Sequence, residues 1–452
     1  MSVPRIPRKS LFLGLLGALL LLAGSLTQPV SAVGNPVEHW LSTHARPLHT
    51  TNPEGSLDDL NALRGMVANA SIVGLGEATH GSHEFFTLKH RLVRFLVEKM
   101  GFTTFAMEEN WNNALNINEY VLYGKGDPEA LVRSLERPWR SQEVLELVTW
   151  LRAYNADPRH TQKVRFAGVD VQGLDTHVFD LVIEYVAAKM PAQLHTVVSL
   201  YNGFWTCLSE VQNRPDCLSD PEALQTYRDH ARTVENLLQQ QPEQDSAASW
   251  ALQNAHVISQ VGKLAYMMRV DPNAGSNYRD LAMAENASWL QHHQGKVALW
   301  AHNWHISIEH DTTGTTMGAH LRELYQTGYR PLGFSFYQGS FNSIYYGADR
   351  DPKDHTIRTF TVGAPVKESY NSTLGSIGLP LYLLDLRKAQ GAVRQWMNGP
   401  APFRLNGMGY DPAQFDAAYT RGSLAQWFDL LIHVQNSTPS TYLGNCAATT
   451  QC

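Results

Sequence analysis

The chain has 452 residues, of which 43% are hydrophobic and 17% are charged, and its formal net charge at pH 7 is −6. This composition is typical of a globular protein, and the length suits one large domain with insertions or two or three smaller domains. The sequence has no basic stripe with interleaved aromatic residues, so we exclude nucleic acid as a partner.

The N-terminal segment has the pattern of a secretory signal peptide. Basic residues at positions 5 to 9 precede the apolar run Leu11 to Ala23, and Val30-Ser31-Ala32 resembles a cleavage site. The apolar run is too short to span a bilayer, which disfavours an uncleaved anchor. We therefore expect residues 1–32 to be removed, no stable membrane insertion, and a mature protein of net charge −9 that is secreted or periplasmic.

Short apolar strands alternate with helices in the rest of the chain. After an irregular or helical lead-in, strands are predicted at residues 72–76, 102–107, 164–169, 296–301, 331–337, 357–362, 381–386 and 429–434. Strands separated by helices favour an α/β fold with a central, largely parallel sheet. The helix-rich block from about 176 to 294 is too long for a simple crossover, and we expect it to form a lobe over the edge of the sheet.

The four cysteines form two pairs that are close in sequence. Local disulfides Cys207–Cys217 and Cys446–Cys452 are the simplest arrangement in an oxidising compartment. The alternative is a long-range pairing that ties the tail to the helical middle. Neither pair has the C-x-x-C spacing of a zinc site.

Glu77 and His80 lie where the first strand ends and a helix begins. Open α/β sheets place their chemistry at this carboxyl edge. A carboxylate three residues before an imidazole suggests a general base with its orienting partner. The positive end of the helix would also disfavour protonated His80.

His302 and His305 follow a second apolar strand and could face the first pair across a cleft. A lone histidine is more often a structural residue, but three histidines and two carboxylates at strand ends indicate a functional site. The H-x-x-H spacing and the 19 histidines of the chain keep a metal site open as an alternative.

Two further carboxylates lie at strand ends. Glu108 and Glu109 close the second strand, and only one of them can enter a shared site because neighbouring side chains point to opposite faces. Asp170 has the equivalent position after the third strand. A solvated strand end is the competing interpretation for each.

Three cations could support such a site. Lys89 and Arg91 lie on the helix after His80, and Arg279, with Asp280, is predicted to open the helix that leads to the His302 strand. One of these cations could reach a carboxylate or an anionic transition state. A solvated helix face is the alternative.

Several standard catalytic motifs are absent from the sequence. There is no G-x-S-x-G, since Gly333 to Tyr337 lacks the last glycine, and no H-E-x-x-H, P-loop or G-x-G-x-x-G. The remaining chemistry uses histidines and carboxylates, which either activate water directly or hold a metal.

The motifs together resemble the erythromycin esterase family. They are Leu75 to Gly81, Glu84 to Arg91, Gly101 to Glu108, Gly168 to Asp170, Trp300 to Ile306 and Trp427 to Asp429, in this order over nearly the whole mature chain. The resemblance implies a sheet built from two related halves with a helical lobe. It also implies a hydrolase that opens a macrolide lactone or related ester with activated water, and no cofactor.

The resemblance also implies roles for individual residues. His80 would be the general base with Glu77 beside it, Glu108 the second essential carboxylate, and His302 and His305 the late histidine pair. Lys89 stands where some members have arginine, which keeps the charge but loses the bidentate fork.

Three domain segments and three functional hypotheses follow. We expect a signal peptide at 1–32, a hydrolase domain at 33–436 that includes the helical lobe, and a cysteine-containing tail at 437–452. The leading hypothesis is an exported esterase or lactonase with a role in the response to antibiotics. The alternatives are a metal-dependent hydrolase that uses the same histidines and glutamates, and a non-catalytic protein for ligand binding or polysaccharide assembly.

Overall fold

A computed structural model describes residues 35–210, 215–241, 245–311, 314–351 and 354–444 of the chain. The expected signal peptide and the expected Cys446–Cys452 pairing lie outside these residues. None of the helices within them is long and apolar enough to cross a membrane.

The strands lie mainly in one central sheet. They are β1 Arg46–Pro47, β2 Ile72–Leu75, β3 Thr104–Asn110, β4 Arg165–Asp170, β5 Val297–Trp300, β6 His310–Asp311, β7 Gly314–Thr315, β8 Tyr329–Tyr345, β9 Ile357–Val362, β10 Leu381–Asp385, β11 Ala401–Arg404, β12 Gly409–Tyr410, β13 Tyr419–Gly422 and β14 Leu430–Ser437. The sheet order is β1-β10-β14-β8-β2-β5-β3-β4, with β9 and β12 also paired to β8. From β14 to β4 neighbouring strands are parallel, whereas β10 and β1 are antiparallel additions at one edge. The predicted α/β class with a largely parallel sheet is confirmed.

The helices cover the sheet and fill the region between β4 and β5. They are α1 Pro36–His44, α2 Ala62–Val67, α3 His83–Met100, α4 Trp111–Tyr123, α5 Pro128–Ser134, α6 Gln142–Ala156, α7 Thr176–Lys189, α8 Leu194–Ser209, α9 Pro221–Gln239, α10 Ser246–Val270, α11 Pro272–Gln294, α12 Asn303–Ile306, α13 Met317–Tyr325, α14 Tyr370–Gly375, α15 Gly391–Asn398 and α16 Leu424–Trp427. A disulfide between Cys207 and Cys217 joins the end of α8 to the turn before α9. Helices α7 to α11 are the helical lobe.

The register of the parallel strands brings three strand ends to one place. Leu75 at the end of β2 pairs with Trp300 of β5 and with Leu332 of β8, and Met107 of β3 also pairs with Trp300. The segments that follow β2, β3 and β5 therefore leave the sheet side by side at its carboxyl edge, as in other open α/β sheets.

Helix α3 begins directly after the turn that contains His80. The hydroxyl of Ser82 caps its first turn by accepting a hydrogen bond from the Phe85 amide, and Gly101, at φ 71°, ends it in the left-handed region that favours glycine. The helix buries both its apolar face and Lys89. Local sequence signals thus define both ends of α3.

Close approach of the backbone explains a glycine in the first motif. A side chain at Gly76 would collide with the amide of Asn303, which itself exchanges hydrogen bonds with the backbone of Phe334 in β8. Asn303 thereby ties the end of β5 to β8 across β2, and only glycine leaves the room for this bridge.

Candidate active site

A cleft of about 350 Å³ opens at the carboxyl edge of the sheet. Its walls come from the ends of β2, β3 and β5, from α11, and from the segment between β11 and β13. The lining residues are His80, Glu108, Gln172, Arg279, His302, Trp304, His305, Leu405, Gly407, Met408 and Thr420.

His80 is the end of a buried chain of hydrogen bonds. Its Nδ1 lies 2.6 Å from Glu77 Oε1, and the second carboxylate oxygen of Glu77 accepts a hydrogen bond of 2.5 Å from Lys89 Nζ. A carboxylate acceptor at Nδ1 assigns the proton of neutral His80 to that nitrogen. Nε2 is then the basic nitrogen of a residue that lines the cleft.

Lys89 is fully buried and has little besides Glu77 to stabilise its charge. The ammonium lies 3.9 Å from the centre of the Trp300 ring, a cation–π contact. Burial lowers the pKa of Lys89 to about 8, although the Glu77 carboxylate opposes this shift. The ammonium is the ion-pair partner of one Glu77 oxygen, and the other oxygen accepts the hydrogen bond from His80 Nδ1.

His302 has the opposite hydrogen-bonding role. Its Nδ1 accepts a hydrogen bond of 3.3 Å from the Trp304 amide, which assigns the ring proton to Nε2. Nε2 is buried and has no partner in the described part of the chain. Burial, and then the neighbouring His80, hold the pKa of His302 well below its usual value. His302 is therefore a neutral donor beside the cleft.

Glu108 is the centre of a second polar network. Oε2 accepts a hydrogen bond of 2.8 Å from the His302 amide, and Oε1 lies 2.9 Å from Arg279 Nη2 and 3.3 Å from His305 Nε2. Burial would raise the pKa of this carboxyl, but His305 and Arg279 hold it well below its usual range. Glu108 is therefore an anion, and its two carboxylate oxygens contact the His302 amide, Arg279 and His305.

Two aspartates bind the two Glu108 partners Arg279 and His305. Asp170 binds Arg279 through three hydrogen bonds of 2.6 to 3.1 Å, and Asp280 accepts a hydrogen bond of 2.8 Å from His305 Nδ1. Burial would lower the pKa of His305, but the carboxylates of Asp280 and Glu108 raise it to about 10. The carboxylates at its two nitrogens thus favour the imidazolium form of His305, against the Arg279 guanidinium, whose Nη1 lies 3.2 Å from Nε2.

The structure brings together most residues that the sequence singled out, but not Arg91. Arg91 points to the lead-in segment, where it pairs with Asp59 and donates to the carbonyls of Thr50 and Ser56. Arg91 is two positions after Lys89 in the helix, so the two side chains leave α3 on different sides. Arg91 anchors the lead-in and takes no part in the cleft.

The predicted start of one helix was wrong. Arg279 and Asp280 do not open a helix, because α11 begins at Pro272 with Asp271 as its N-cap. Both residues lie in the third turn of α11, where Arg279 lines the cleft and Asp280 contacts His305. Asp280, which sequence analysis did not include in the site, orients His305.

Glu109 points away from Glu108, as the alternation of a strand requires. Its carboxylate accepts hydrogen bonds from the amides of Asn110 and Glu136 and from the side chain of Asn113. Burial raises the pKa of Glu109 to about 8. Glu109 therefore has a structural role, because its carboxylate binds backbone and side-chain groups next to the end of β3.

Sequence analysis also missed residues that shape the cleft. The Trp139 ring packs edge-on against His80 at 5.1 Å, and its Nε1 donates to the Glu108 carbonyl. Leu405 to Met408 form another wall, and the amide of Asn406 donates to the Ala78 carbonyl in the turn that contains His80. The Asn406-Gly407 dipeptide is a turn signal that could have marked this loop.

The arrangement suits activation of water more directly than it suits a metal. Both oxygens of Glu77 and both nitrogens of His305 already have charged or hydrogen-bonded partners. Over the described ranges, no three histidine, cysteine, aspartate or glutamate side chains are placed to bind one ion. A basic imidazole and a neutral N–H donor lie with ring centres 5.0 Å apart at the same cleft.

Comparisons with known proteins identify the family of the chain. Erythromycin esterase type II of Escherichia coli is 24% identical over 436 residues, which cover 89% of this chain and 98% of that protein. A crystal structure of a Bacillus cereus protein is 34% identical with a TM-score of 0.83, and that of a succinoglycan biosynthesis protein is 31% identical with a TM-score of 0.79. Each comparison covers 91% of this chain and 99% of the other. The model of the erythromycin esterase family matches residues 97–437. The chain belongs to the erythromycin esterase family.

Proposed function

We propose that the protein is an exported carboxylic ester hydrolase that opens macrolide lactones or related esters by general-base activation of water. The single observation that carries this proposal is the His80–Glu77–Lys89 chain of hydrogen bonds, which leaves the basic nitrogen of His80 at the cleft. Membership of the erythromycin esterase family supports the hydrolase class.

The proposed reaction needs no covalent enzyme intermediate. Water in the cleft gives a proton to His80 Nε2 as its oxygen forms a bond to the ester carbonyl carbon. The carbonyl oxygen gains negative charge and accepts a hydrogen bond from His302 Nε2, the buried donor without a partner. The bond to the leaving oxygen then breaks, and that oxygen takes the proton back from His80. The products are a carboxylic acid and an alcohol, joined in one open chain if the substrate is a lactone.

The charges of the network favour the protonated state of His80 that this step creates. The network contains four carboxylates and three cations, so it has one excess negative charge. The carboxylates are Glu77, Glu108, Asp170 and Asp280, and the cations are Lys89, Arg279 and His305. Proton transfer from water to His80 brings this sum to zero. Glu77 is the carboxylate that stabilises the new imidazolium directly.

The proposed substrate class is inferred from a relative, and the proposed location is inferred from the N-terminal sequence. The name of the Escherichia coli relative suggests a macrolide lactone, and the N-terminal pattern suggests export. An exported enzyme would destroy the drug in the periplasm, before it reaches the ribosomes. A role in the response to antibiotics follows from this location.

The test is a hydrolysis screen of the purified mature protein on macrolides, simple lactones and simple esters. We expect turnover of at least one class, and a fall in kcat on the order of 10²–10⁴-fold for His80→Ala. His177→Ala is the matched control, because His177 is exposed on α7 and does not line the cleft. A His80→Ala protein that folds and retains more than about a tenth of wild-type kcat would contradict the role of His80.

The metal-dependent alternative has a direct test. Prolonged chelation followed by metal analysis and assay should leave activity unchanged if His80 activates water alone. Recovery of about one tightly bound zinc or manganese per chain, with activity lost on removal and restored on return, would favour the alternative.

The non-catalytic alternative draws on the similar succinoglycan biosynthesis protein. A protein that only binds a saccharide has no need of a base with an orienting carboxylate and a buried cation. Binding of acidic oligosaccharides without turnover of any ester would favour this second candidate.

A further inference from the structure

A second and larger cavity, of about 700 Å³, adjoins the catalytic cleft. The two spaces share four lining residues: Gln172, Arg279, Trp304 and His305. Its volume lies within the range of about 300–1,000 Å³ that is usual for small-molecule sites. A substrate whose reacting carbonyl lies near His80 could therefore extend past Trp304 into this second space.

One wall of this cavity is an apolar face of the helical lobe, and the polar side chains of Arg269, Ser276, Arg279 and Asp280 also line the cavity. Val261, Leu264, Ala265 and Met268 of α10 line the cavity at spacings of three, one and three residues, which places them on one side of the helix. Met268 remains 44% exposed there, whereas Val261 and Leu264 are buried. An exposed methionine beside an open cavity offers a flexible, polarizable surface to an apolar ligand.

The disulfide holds another part of the same wall. Leu218 and Ser219 line the cavity and directly follow Cys217, which is joined to Cys207 at the end of α8. The apolar wall is therefore attached to the lobe at two places, along α10 and through the disulfide-linked turn.

We propose that this cavity binds the apolar portion of the substrate, so that the enzyme prefers esters or lactones with an extended alkyl or alicyclic part. The inference rests on the proposed ester hydrolysis and adds the site that selects among esters. Transfer of apolar surface from water to the α10 face supplies the binding energy. Trp304 lies at the junction, where it contacts the substrate on the way from one space to the other.

Two homologous series of esters test the preference: acetates of straight-chain alcohols, and ethyl esters of straight-chain acids. We expect kcat/KM to rise in one series by roughly two- to fourfold for each methylene that enters the cavity, until the cavity is filled. Values of kcat/KM that stay flat in both series would overturn the inference and leave ester hydrolysis intact.

A pair of variants on α10 locates the effect. Met268→Asp puts a charge into the cavity and should lower the ratio of kcat/KM for long over short esters by about tenfold or more, whereas Met268→Leu should keep it. Val270→Asp is the matched control, since Val270 is 52% exposed near the same helix end but does not line the cavity. An equal fall of the ratio in both aspartate variants would overturn the inference.

Binding without turnover separates this inference from the proposed function. Methyl ketones of increasing chain length cannot be hydrolysed, and their affinity can be measured by calorimetry. Affinity that rises with chain length in the wild type and not in Met268→Asp would support the cavity even if no ester is hydrolysed. Affinity independent of chain length would overturn it.

Discussion

The rings of His80 and His302 lie 5.0 Å apart at the cleft and have complementary hydrogen-bonding roles. Glu77 accepts a hydrogen bond from Nδ1 of His80, whereas the Trp304 amide donates one to Nδ1 of His302. The free nitrogen is consequently an acceptor on the first ring and a donor on the second. In the proposed reaction, these two histidines would provide a base for water and a donor for the carbonyl oxygen.

Removal of the His302 donor should slow the chemical step. We expect His302→Phe to lower kcat by about 10²–10³-fold with a smaller change in KM, because a donor to the developing oxyanion acts mainly in the transition state. His302→Gln retains an N–H donor and should recover part of the loss. Equal kcat values for the phenylalanine variant and the wild type would contradict the donor role.

Lys89 should produce an alkaline limb in the pH profile of kcat. Burial lowers its pKa to about 8, and loss of its proton leaves Glu77 as a buried anion without a cation. Activity should therefore decline above about pH 8. Lys89→Arg should move this limb to higher pH, because a guanidinium keeps its proton. If the activity of Lys89→Arg still declines near pH 8, the group that titrates there is not Lys89, and the prediction is contradicted.

The free energy of unfolding should fall at alkaline pH because of His305. Its pKa rises from 6.5 to about 10 on folding, so its contribution is complete below pH 6.5 and is lost as pH rises through about 10. The expected loss of unfolding free energy is on the order of 3 kcal/mol. Urea denaturation at pH 6.5, 8 and 10 measures it.

The comparison with His305→Gln isolates this contribution. Lys89 acts with the opposite sign, since a pKa lowered from 10.5 to about 8 makes the unfolded chain bind more protons in that window, and stability rises there with pH. Glutamine does not titrate, so the difference between wild type and variant should shrink from pH 6.5 to 10. A difference that stays constant would show that folding does not raise the pKa of His305.

Loss of the Cys207–Cys217 disulfide should destabilise the protein without abolishing activity. The bond closes a short loop in the helical lobe, and the double Cys→Ser variant should lose roughly 2–3 kcal/mol of unfolding free energy. The catalytic groups lie on the sheet edge and α11, so turnover of a short ester at low temperature should persist. Mass spectrometry that finds both thiols free in the exported protein would contradict the premise.

Local sequence pattern was sufficient to identify the fold class and the centre of the site. The apolar run at 72–76, followed by Glu77, His80 and a periodic helix, predicts a strand, a turn and a helix without any distant contact. The strand at 357–362 has its predicted bounds, and the strand at 331–337 lies within the longer β8. Such patterns are readable because backbone hydrogen bonding and side-chain periodicity are properties of neighbouring residues.

Tertiary structure decided which charged residues belong to the cleft and what each of them does. Lys89 and Arg91 have similar local surroundings in the sequence, but only the packing of α3 against Trp300 directs the first to Glu77 and the second to Asp59. The tautomers of His80 and His302, the imidazolium of His305 and the wall at Leu405 to Met408 all depend on partners that are distant in the chain. Charge and proton position are set by the electrostatic surroundings of a buried group, and those surroundings exist only after the strands have paired.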